Sequence, residues 1–202
     1  MAPTEHLIDT LADQGWAVSD GIIDTSLRHG LYTECTQAWA SDAFRQAGIG
    51  RLATHTLDTQ IRGDAICWIE PGPADQPSSQ FLQWAAELKQ DLNRLLYAGL
   101  HSAEFHFARY PAGQGYKKHR DQHQGQRHRK LSLVLYLNPQ WTAADQGELC
   151  LYDPQDENRE VARILPQPGR LVLFRSDLFP HEVLPCTRTR WSLTGWLRTD
   201  RA

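Results

Sequence analysis

Apolar residues near the start of the chain repeat at the spacing of a helix. In TEHLIDTLADQGW, Leu7, Ile8 and Leu11 fall on one helical face. Thr4 precedes this face as a candidate N-cap, and Gly15 follows it as a helix stop. The pattern therefore predicts a first amphipathic helix between Thr4 and Gly15.

Two longer segments with helical periodicity follow. One runs from a cap at Asp24 to a stop at Gly48 and predicts a long second helix. The other starts after Ser78 or Ser79 as its cap and has the clearest helical pattern of the chain. Its apolar residues, spaced by three and four, are Phe81, Trp84, Ala85, Leu88, Leu92, Leu95 and Leu96.

From residue 104 onward the pattern changes to short runs rich in β-branched, leucine and aromatic residues, separated by turn residues. Residues 61–70 also start as a strand and lead into a proline-rich loop. The predicted strands after residue 104 are EFHFARY, KLSLVLYLN, GELCLYD, GRLVLFRS, HEVLP and RTRWSLTGWLR. Helices first and strands later predict an α+β fold, in which a helical layer supports a β-sandwich or barrel.

Composition narrows the class of protein. The 202 residues predict a single domain, 1–202, with 41% apolar and 22% charged side chains. A net charge of −3 makes nucleic acid an unlikely partner. No apolar run reaches the length of a membrane span, and the start lacks a secretion signal, so no membrane partner is expected. The four cysteines form no C-x-x-C pair, which favours a cytoplasmic protein with free thiols.

The segment GYKKHRDQHQGQRHRK, residues 115–130, places six cationic side chains around one carboxylate, Asp121. His119 lies two positions earlier, and on a strand the two side chains would share a face. A third ligand is available at His181, after 59 intervening residues. Two imidazoles and one carboxylate, with open positions opposite, are typical of non-haem Fe(II) oxygenases.

The remaining side chains of this basic segment have simpler interpretations. Lys118 and Arg120 are expected to point away from the face that His119 and Asp121 would share. His123 and His128 are interpreted as exposed loop histidines rather than extra ligands.

Arg190 adds a second element of the same site. It follows His181 by eight intervening residues, and strand alternation places it on one face with Ser192, Thr194 and Trp196. A buried arginine requires a partner, and a carboxylate held by two hydrogen bonds is the natural one. If His181 holds a metal, Arg190 on a neighbouring strand would grip a small dicarboxylate, and Tyr136 could donate a second hydrogen bond.

The combined pattern resembles the Fe(II)- and 2-oxoglutarate-dependent dioxygenases. More narrowly, it is similar to the prolyl hydroxylases typified by the hypoxia-sensing enzymes of animals and their bacterial relatives. The blocks that carry the resemblance, in order, are IRGDAICWIE, ARYPAGQGYKKHRD, VLYLNPQW, GELCLY, LVLFRSDLFPHEVLP and TRTRWSLTGWL. The resemblance implies a double-stranded β-helix, or jelly-roll, catalytic core at 101–200, with residues 1–100 as mainly helical support.

The resemblance also implies roles for individual residues. Arg190 would bind the distal carboxylate of 2-oxoglutarate, with Tyr136 beside it and Thr194 nearby. Tyr110 and Trp196 match positions that line the co-substrate and metal pocket. The implied Fe(II) ligands are His119, Asp121 and His181.

At the substrate entrance, Arg62 and Asp64 match the base of a mobile loop, and Arg129 matches an arginine near the peptide-binding surface. Two departures concern the substrate rather than the metal. Arg120 stands where the family has a small apolar residue, and Gln146 precedes Gly147 where the family has paired glycines.

The implied reaction is hydroxylation of a proline at C4 in a cytosolic protein, coupled to conversion of 2-oxoglutarate and O2 to succinate and CO2. A translation elongation factor is one candidate target, and ascorbate is a candidate reductant. One alternative keeps the chemistry but acts on a free amino acid, a small metabolite or an alkylated nucleic acid. A second alternative is a non-catalytic β-barrel binding module that uses His119 and His181 structurally.

Overall fold

The computed structural model describes residues 3–48, 61–122 and 128–201. The helices of these segments are α1 (Pro3–Gln14), α2 (Thr25–Ala40), α3 (Pro77–Leu96) and a 3₁₀ turn (Ala143–Asp145). Helix α1 begins one residue before its predicted cap, Thr4, and ends at Gln14, directly before Gly15, which has a φ of +81°. A left-handed residue at this position ends the helix at little steric cost because glycine has no Cβ.

Helix α2 begins as predicted, because the Asp24 carboxylate accepts hydrogen bonds from the first free backbone N–H groups. The predicted end at Gly48 is wrong. The helix stops at Ala40, and the chain then turns through Asp42, whose φ is +57°. Four residues, 41–44, instead lead into the short strand that begins at Arg45, and Phe44 packs edge-on against Trp191.

The predicted cap of α3 at Ser78 or Ser79 is also wrong, because the helix already begins at Pro77. Proline fits the first helical position since its missing N–H would have no partner there. Ser78 has a different contact: its N–H and hydroxyl both donate to the carboxylate of Glu34 in α2. This contact ties the two long helices together.

The strands are β1 (Trp16–Asp20), β2 (Arg45–Gln46), β3 (Ala65–Trp68), β4 (Ser102–Tyr110), β5 (Tyr116–His119), β6 (Arg129–Tyr136), β7 (Leu149–Tyr152), β8 (Glu160–Ile164), β9 (Arg170–Arg175), β10 (His181–Val183) and β11 (Arg190–Arg198). They form two antiparallel sheets. The larger has the order β1-β9-β6-β11-β4-β3-β2, and the smaller has the order β5-β10-β7-β8. Strands β1, β2 and β8 were not predicted.

Two apolar clusters hold these layers together. The first lies between the helices and the outer face of the larger sheet, and it includes Phe81, Leu88 and Leu193. The second lies between the two sheets, where Val172 of β9 and Leu151 of β7 are fully buried. A helical layer that supports two packed sheets is the predicted α+β arrangement, and its interior between the sheets is where the candidate site lies.

The four cysteines are free thiols, as expected, and three of them, Cys35, Cys150 and Cys186, are buried. Of the helices in the described segments, none combines the length and the apolar character that crossing a bilayer requires.

Candidate metal and co-substrate site

His119, Asp121 and His181 converge on one point. His119 ends β5 and His181 begins β10, and the two residues are direct partners across these antiparallel strands. Strand β5 stops before Asp121, contrary to the regular strand expected from sequence, but the carboxylate still turns toward the same point. One ligand atom from each residue lies within 4.8 Å of the others, an arrangement that can hold a metal ion.

Backbone carbonyls fix the two imidazoles in the orientation that a metal requires. Nδ1 of His119 donates to the carbonyl oxygen of Lys117 at 2.7 Å. Nδ1 of His181 donates to the carbonyl oxygen of Phe179 at 3.1 Å. Because a carbonyl only accepts, each Nδ1 carries a proton, and Nε2 is the ring nitrogen that faces the other members of the triad and could bind a cation.

Charge states in the triad suit metal binding at neutral pH. Burial would raise the pKa of Asp121, but His181, His119 and the hydroxyl of Ser132 outweigh it and hold that pKa well below its usual range. Burial, followed by the proximity of His119, lowers the pKa of His181 to about 4. The site therefore presents one anionic oxygen and a neutral His181 imidazole.

Arg190 is the most deeply buried cation near this triad. Its side chain lines the same cavity and is 2% exposed, and its Nε and Nη1 atoms find no hydrogen-bond partner in the described segments. The hydroxyl of Tyr136 is buried and lacks a partner in the same way. Burial raises the pKa values of Tyr136 and Tyr110, so both phenols stay protonated. An uncompensated guanidinium beside a phenol donor is suited to an anionic guest.

The face of β11 agrees with the predicted alternation. Arg190, Thr194 and Trp196 all line the cavity, and Tyr110 lines it from the paired strand β4. One detail of the sequence interpretation is wrong. Arg190 is not on a strand that neighbours His181, because β10 belongs to the smaller sheet and β11 to the larger one. The two residues approach the cavity from opposite sheets.

The three residues predicted to lie at the substrate entrance form two ion pairs on the wall of the cavity. Arg62 and Asp64 make two hydrogen bonds at 2.7 and 3.1 Å, and Asp64 is 1% exposed. Arg129 pairs with Glu104 at 2.9 Å, and its guanidinium lies 3.4 Å from the ring centre of Trp196. Both arginines line the cavity.

The alternation predicted for the cations around Asp121 is also observed. Lys118 lies over the ring of Tyr152, and Arg120 donates to the carbonyl oxygens of Asp177 and Leu178, so neither faces the triad. His128 is exposed, as interpreted. His123 lies outside the described residues.

Three residues of the site were missed by the sequence interpretation. His106 is 1% exposed and lines the cavity, with its ring centre 5.5 Å from that of Trp196. The alternation of side chains along β4 could have indicated His106, because it places this residue on the same face of the strand as Tyr110. Tyr116 stacks on a ligand imidazole, and Ser132 donates to the ligand carboxylate. The contact of Ser132 joins β6 to the segment after β5, so no local pattern indicates it, whereas Tyr116 lies in the same strand as His119 and only the ring orientation was not predictable.

These donors fit a divalent transition-metal ion and a small diacid together. Two imidazole nitrogens and one carboxylate oxygen match the ligand set that non-haem Fe(II) prefers. The atoms of Arg190 and Tyr136 that lack partners are an N–H donor pair and a phenol O–H donor. They require a hydrogen-bond acceptor, such as a carboxylate, that the described segments do not supply.

Comparison with known proteins agrees with this chemistry. The family model of the 2OG-Fe(II) oxygenase superfamily matches residues 105–198. Egl nine homolog 1 of Homo sapiens is 32% identical over 202 residues, which cover 95% of this chain and 46% of that protein. The chain thus spans about half the length of this relative.

Two solved structures are similar over almost the whole chain. A prolyl-4-hydroxylase of Pseudomonas putida is 36% identical with a TM-score of 0.86, and the match covers 98% of this chain and 99% of that one. A prolyl hydroxylase of Trichoplax adhaerens, in complex with a hypoxia inducible factor peptide fragment, is 27% identical with a TM-score of 0.83, covering 97% and 89%.

These matches confirm the predicted double-stranded β-helix core, which 2OG oxygenases have, and the predicted cofactors Fe(II) and 2-oxoglutarate, which the family uses. The predicted family is confirmed as well. The chain belongs to the prolyl hydroxylase family of 2OG-Fe(II) oxygenases.

Proposed function

We propose that this protein is an Fe(II)- and 2-oxoglutarate-dependent dioxygenase that hydroxylates proline, at C4, in a protein substrate. The observation that carries the proposal is the buried, unpaired guanidinium of Arg190, which faces the same cavity as a two-histidine, one-carboxylate triad. A non-catalytic binding module, the predicted second alternative, has no need for this combination.

His119, Asp121 and His181 would hold the Fe(II). When bound, the metal supplies activation of O2 in concert with oxidation of 2-oxoglutarate to succinate and CO2. The chain itself supplies a fixed carboxylate, imidazoles with Nε2 directed at one point, and a cavity between two sheets that limits access of water. Ascorbate stays a candidate reductant.

Arg190 and Tyr136 would bind the distal carboxylate of 2-oxoglutarate, with Thr194 nearby and with Tyr110 and Trp196 on the walls. The diacid would neutralise a guanidinium whose burial is otherwise costly. Charge-assisted hydrogen bonds of this kind are worth about 1.5–3 kcal/mol each. Orientation of the diacid by Arg190 would fix which end reaches the metal.

The substrate would enter past Arg62, Asp64 and Arg129. A polypeptide is supported by the Trichoplax adhaerens relative, whose structure contains a peptide fragment. A net charge of −3 disfavours an alkylated nucleic acid. A single domain over 1–202, a cytoplasmic location and an elongation-factor target remain parts of this proposal.

The proposal is tested by incubating the purified protein with Fe(II), 2-oxoglutarate and proline-containing peptides, and then measuring succinate and peptide mass. Free proline and methylated single-stranded DNA serve as competing substrates. We expect a peptide to gain the mass of one oxygen atom on proline, with one succinate for each event, and Asp121→Ala to form neither product. Turnover with only free proline or DNA would contradict the protein substrate, and turnover by Asp121→Ala would contradict the metal site.

A further inference from the structure

The carboxylate of Asp121 has an outer hydrogen-bond partner that belongs to neither the triad nor the co-substrate residues. Ser132, on β6 of the larger sheet, donates its hydroxyl to Oδ2 of Asp121 at 2.5 Å. The Oγ of Ser132 also lies 2.8 Å from the Oγ of Ser176. Ser132 is 1% exposed and Ser176 is fully buried, so water does not compete readily for these bonds.

The direction of this chain of hydrogen bonds follows from counting protons. An ionised carboxylate only accepts, so the single hydroxyl proton of Ser132 must point to Asp121. Ser176 must then donate to Ser132. Each serine is held in place by the larger sheet or its flanking turn: Ser132 is paired with Phe174 in β9, and the N–H of Ser176 donates to the carbonyl oxygen of Lys130.

The two carboxylate oxygens therefore differ in their hydrogen bonds. Oδ2 accepts from the hydroxyl of Ser132 and lies 3.5 Å from Nε2 of His181, whereas Oδ1 lies 3.6 Å from Nε2 of His119. Among the described residues no hydroxyl donates to Oδ1, which leaves it the better placed of the two oxygens to bind a cation. Both imidazoles are fixed by backbone carbonyls, so the carboxylate is the one ligand whose orientation depends on side-chain hydroxyls.

We propose that Ser132 and Ser176 are positioning residues that hold Asp121 as a ligand through one oxygen and thereby set the affinity and coordination number of the metal. This inference rests on the proposed metal site. Without the hydroxyl of Ser132, Oδ2 would be buried without its donor, and the carboxylate would be free to rotate or to bind the metal through both oxygens. Outer partners of metal ligands typically change metal affinity by about 10–100-fold when they are removed.

The test titrates Mn²⁺ alone, and then Co²⁺ alone, into the full-length protein. For Ser132→Ala we expect the Kd for Mn²⁺ to rise at least about tenfold, and the visible absorption of bound Co²⁺, which reports coordination number, to change shape. Ser176→Ala keeps the bond to Asp121 and should show a smaller shift in the same direction. Ser102→Ala is the matched control, because Ser102 is a buried serine whose hydroxyl donates to the carbonyl oxygen of Asp200, and it should leave Kd unchanged.

Asp121→Ala distinguishes failure of the positioning role of the serines from failure of the proposed metal site. If wild type binds Mn²⁺, Asp121→Ala does not, and Ser132→Ala binds with the wild-type Kd and Co²⁺ spectrum, the positioning role is overturned while the metal site stands. If wild type binds no Mn²⁺, or Asp121→Ala binds as wild type does, both proposals are overturned. If Ser102→Ala and Ser132→Ala lose the same affinity for Mn²⁺, the loss reflects general destabilisation of the fold. That result would also overturn the positioning role.

Discussion

The phenol ring of Tyr116 stacks on the imidazole of His119, with ring centres 3.5 Å apart and planes inclined by only 18°. The guanidinium of Arg62 lies 4.9 Å from the centre of the Tyr116 ring. Arg62, which lines the cavity, is thus linked to a proposed metal ligand through one aromatic ring. Together with the hydrogen bond of Nδ1 and the ring contact with His181, the stack restricts rotation of the His119 ring.

Tyr116→Ala should therefore weaken metal binding, whereas Tyr116→Phe keeps the ring and should not. Aromatic pairs contribute about 0.5–1.5 kcal/mol, so the expected rise in the Kd for Mn²⁺ in the alanine variant is about twofold to tenfold. Isothermal titration calorimetry of both variants checks this. Equal values of Kd for the alanine and phenylalanine variants would show that the stack does not support His119.

Arg120 should stabilise the fold by holding the turn that precedes His181. It donates to the carbonyl oxygens of Asp177 and Leu178 and forms an ion pair with Glu157 at 2.8 Å. We expect Arg120→Val to lower the free energy of unfolding by about 1–2 kcal/mol, since hydrogen bonds from a charged donor are lost in a partly exposed place.

Urea unfolding of Arg120→Val and of Glu157→Gln, compared with wild type, separates the contribution of the hydrogen bonds to the turn from that of the ion pair with Glu157. Glu157 is more than half exposed, so loss of the ion pair alone should cost less than about 1 kcal/mol. Equal destabilisation of the two variants would locate the effect in the ion pair rather than in the turn.

Most of the strands, and the meeting of His119, Asp121 and His181 at one point, could be predicted from the sequence. Alternation along β11 indicates which side chains share a face with Arg190. The order and spacing of H-x-D, the later histidine and Arg190 indicated which residues meet. Strands β1 and β8 were missed because they are short edge strands, and β8 has one fully buried residue and two charged side chains among its five positions. The contact of Ser132 with Asp121 depends on how two sheets pack, which no local pattern encodes.

His106 should make stability depend on pH. Burial, with a smaller contribution from Arg62, lowers its pKa from the usual value to about 3. In the unfolded chain the imidazole binds a proton near pH 6.5, whereas in the folded chain it stays neutral until about pH 3. The unfolded state therefore binds more protons in this window, and stability falls as pH falls through it. The charged groups whose fields reach His106 are Arg62, Asp64, Arg129 and Asp121.

We expect the free energy of unfolding to decrease below pH 6.5, with a contribution from His106 of up to about 1.4 kcal/mol per pH unit. His106→Leu removes that contribution and should flatten the dependence. Urea unfolding at a series of pH values between these limits measures both slopes. Identical slopes for wild type and variant would mean that His106 is charged, or exposed, in the folded protein.

Gln146 has a backbone conformation that favours glycine. Its φ is +57° and its ψ is −147°, a combination that is strained for a residue with a Cβ. Gln146→Gly should raise the free energy of unfolding by about 1 kcal/mol. The substitution relieves the backbone strain of the folded protein, and this gain exceeds the loss that comes from the greater flexibility of glycine in the unfolded chain.

Thermal unfolding of Gln146→Gly checks this expectation, with Gln140→Gly as a control. Gln140 is likewise an exposed loop glutamine, but it does not have a positive φ. A lower melting temperature for Gln146→Gly than for wild type would show that the position carries no strain.

The central claim is that Arg190 and the triad of His119, Asp121 and His181 form one binding site for Fe(II) and 2-oxoglutarate. It is tested most directly by anaerobic titration of Fe(II) and 2-oxoglutarate, followed through the visible charge-transfer band of their complex. We expect the band in wild type at one equivalent of Fe(II), none in Asp121→Ala, and a requirement for about tenfold to hundredfold more 2-oxoglutarate in Arg190→Met. No band in wild type, or a band of wild-type strength and affinity in either variant, would contradict the claim.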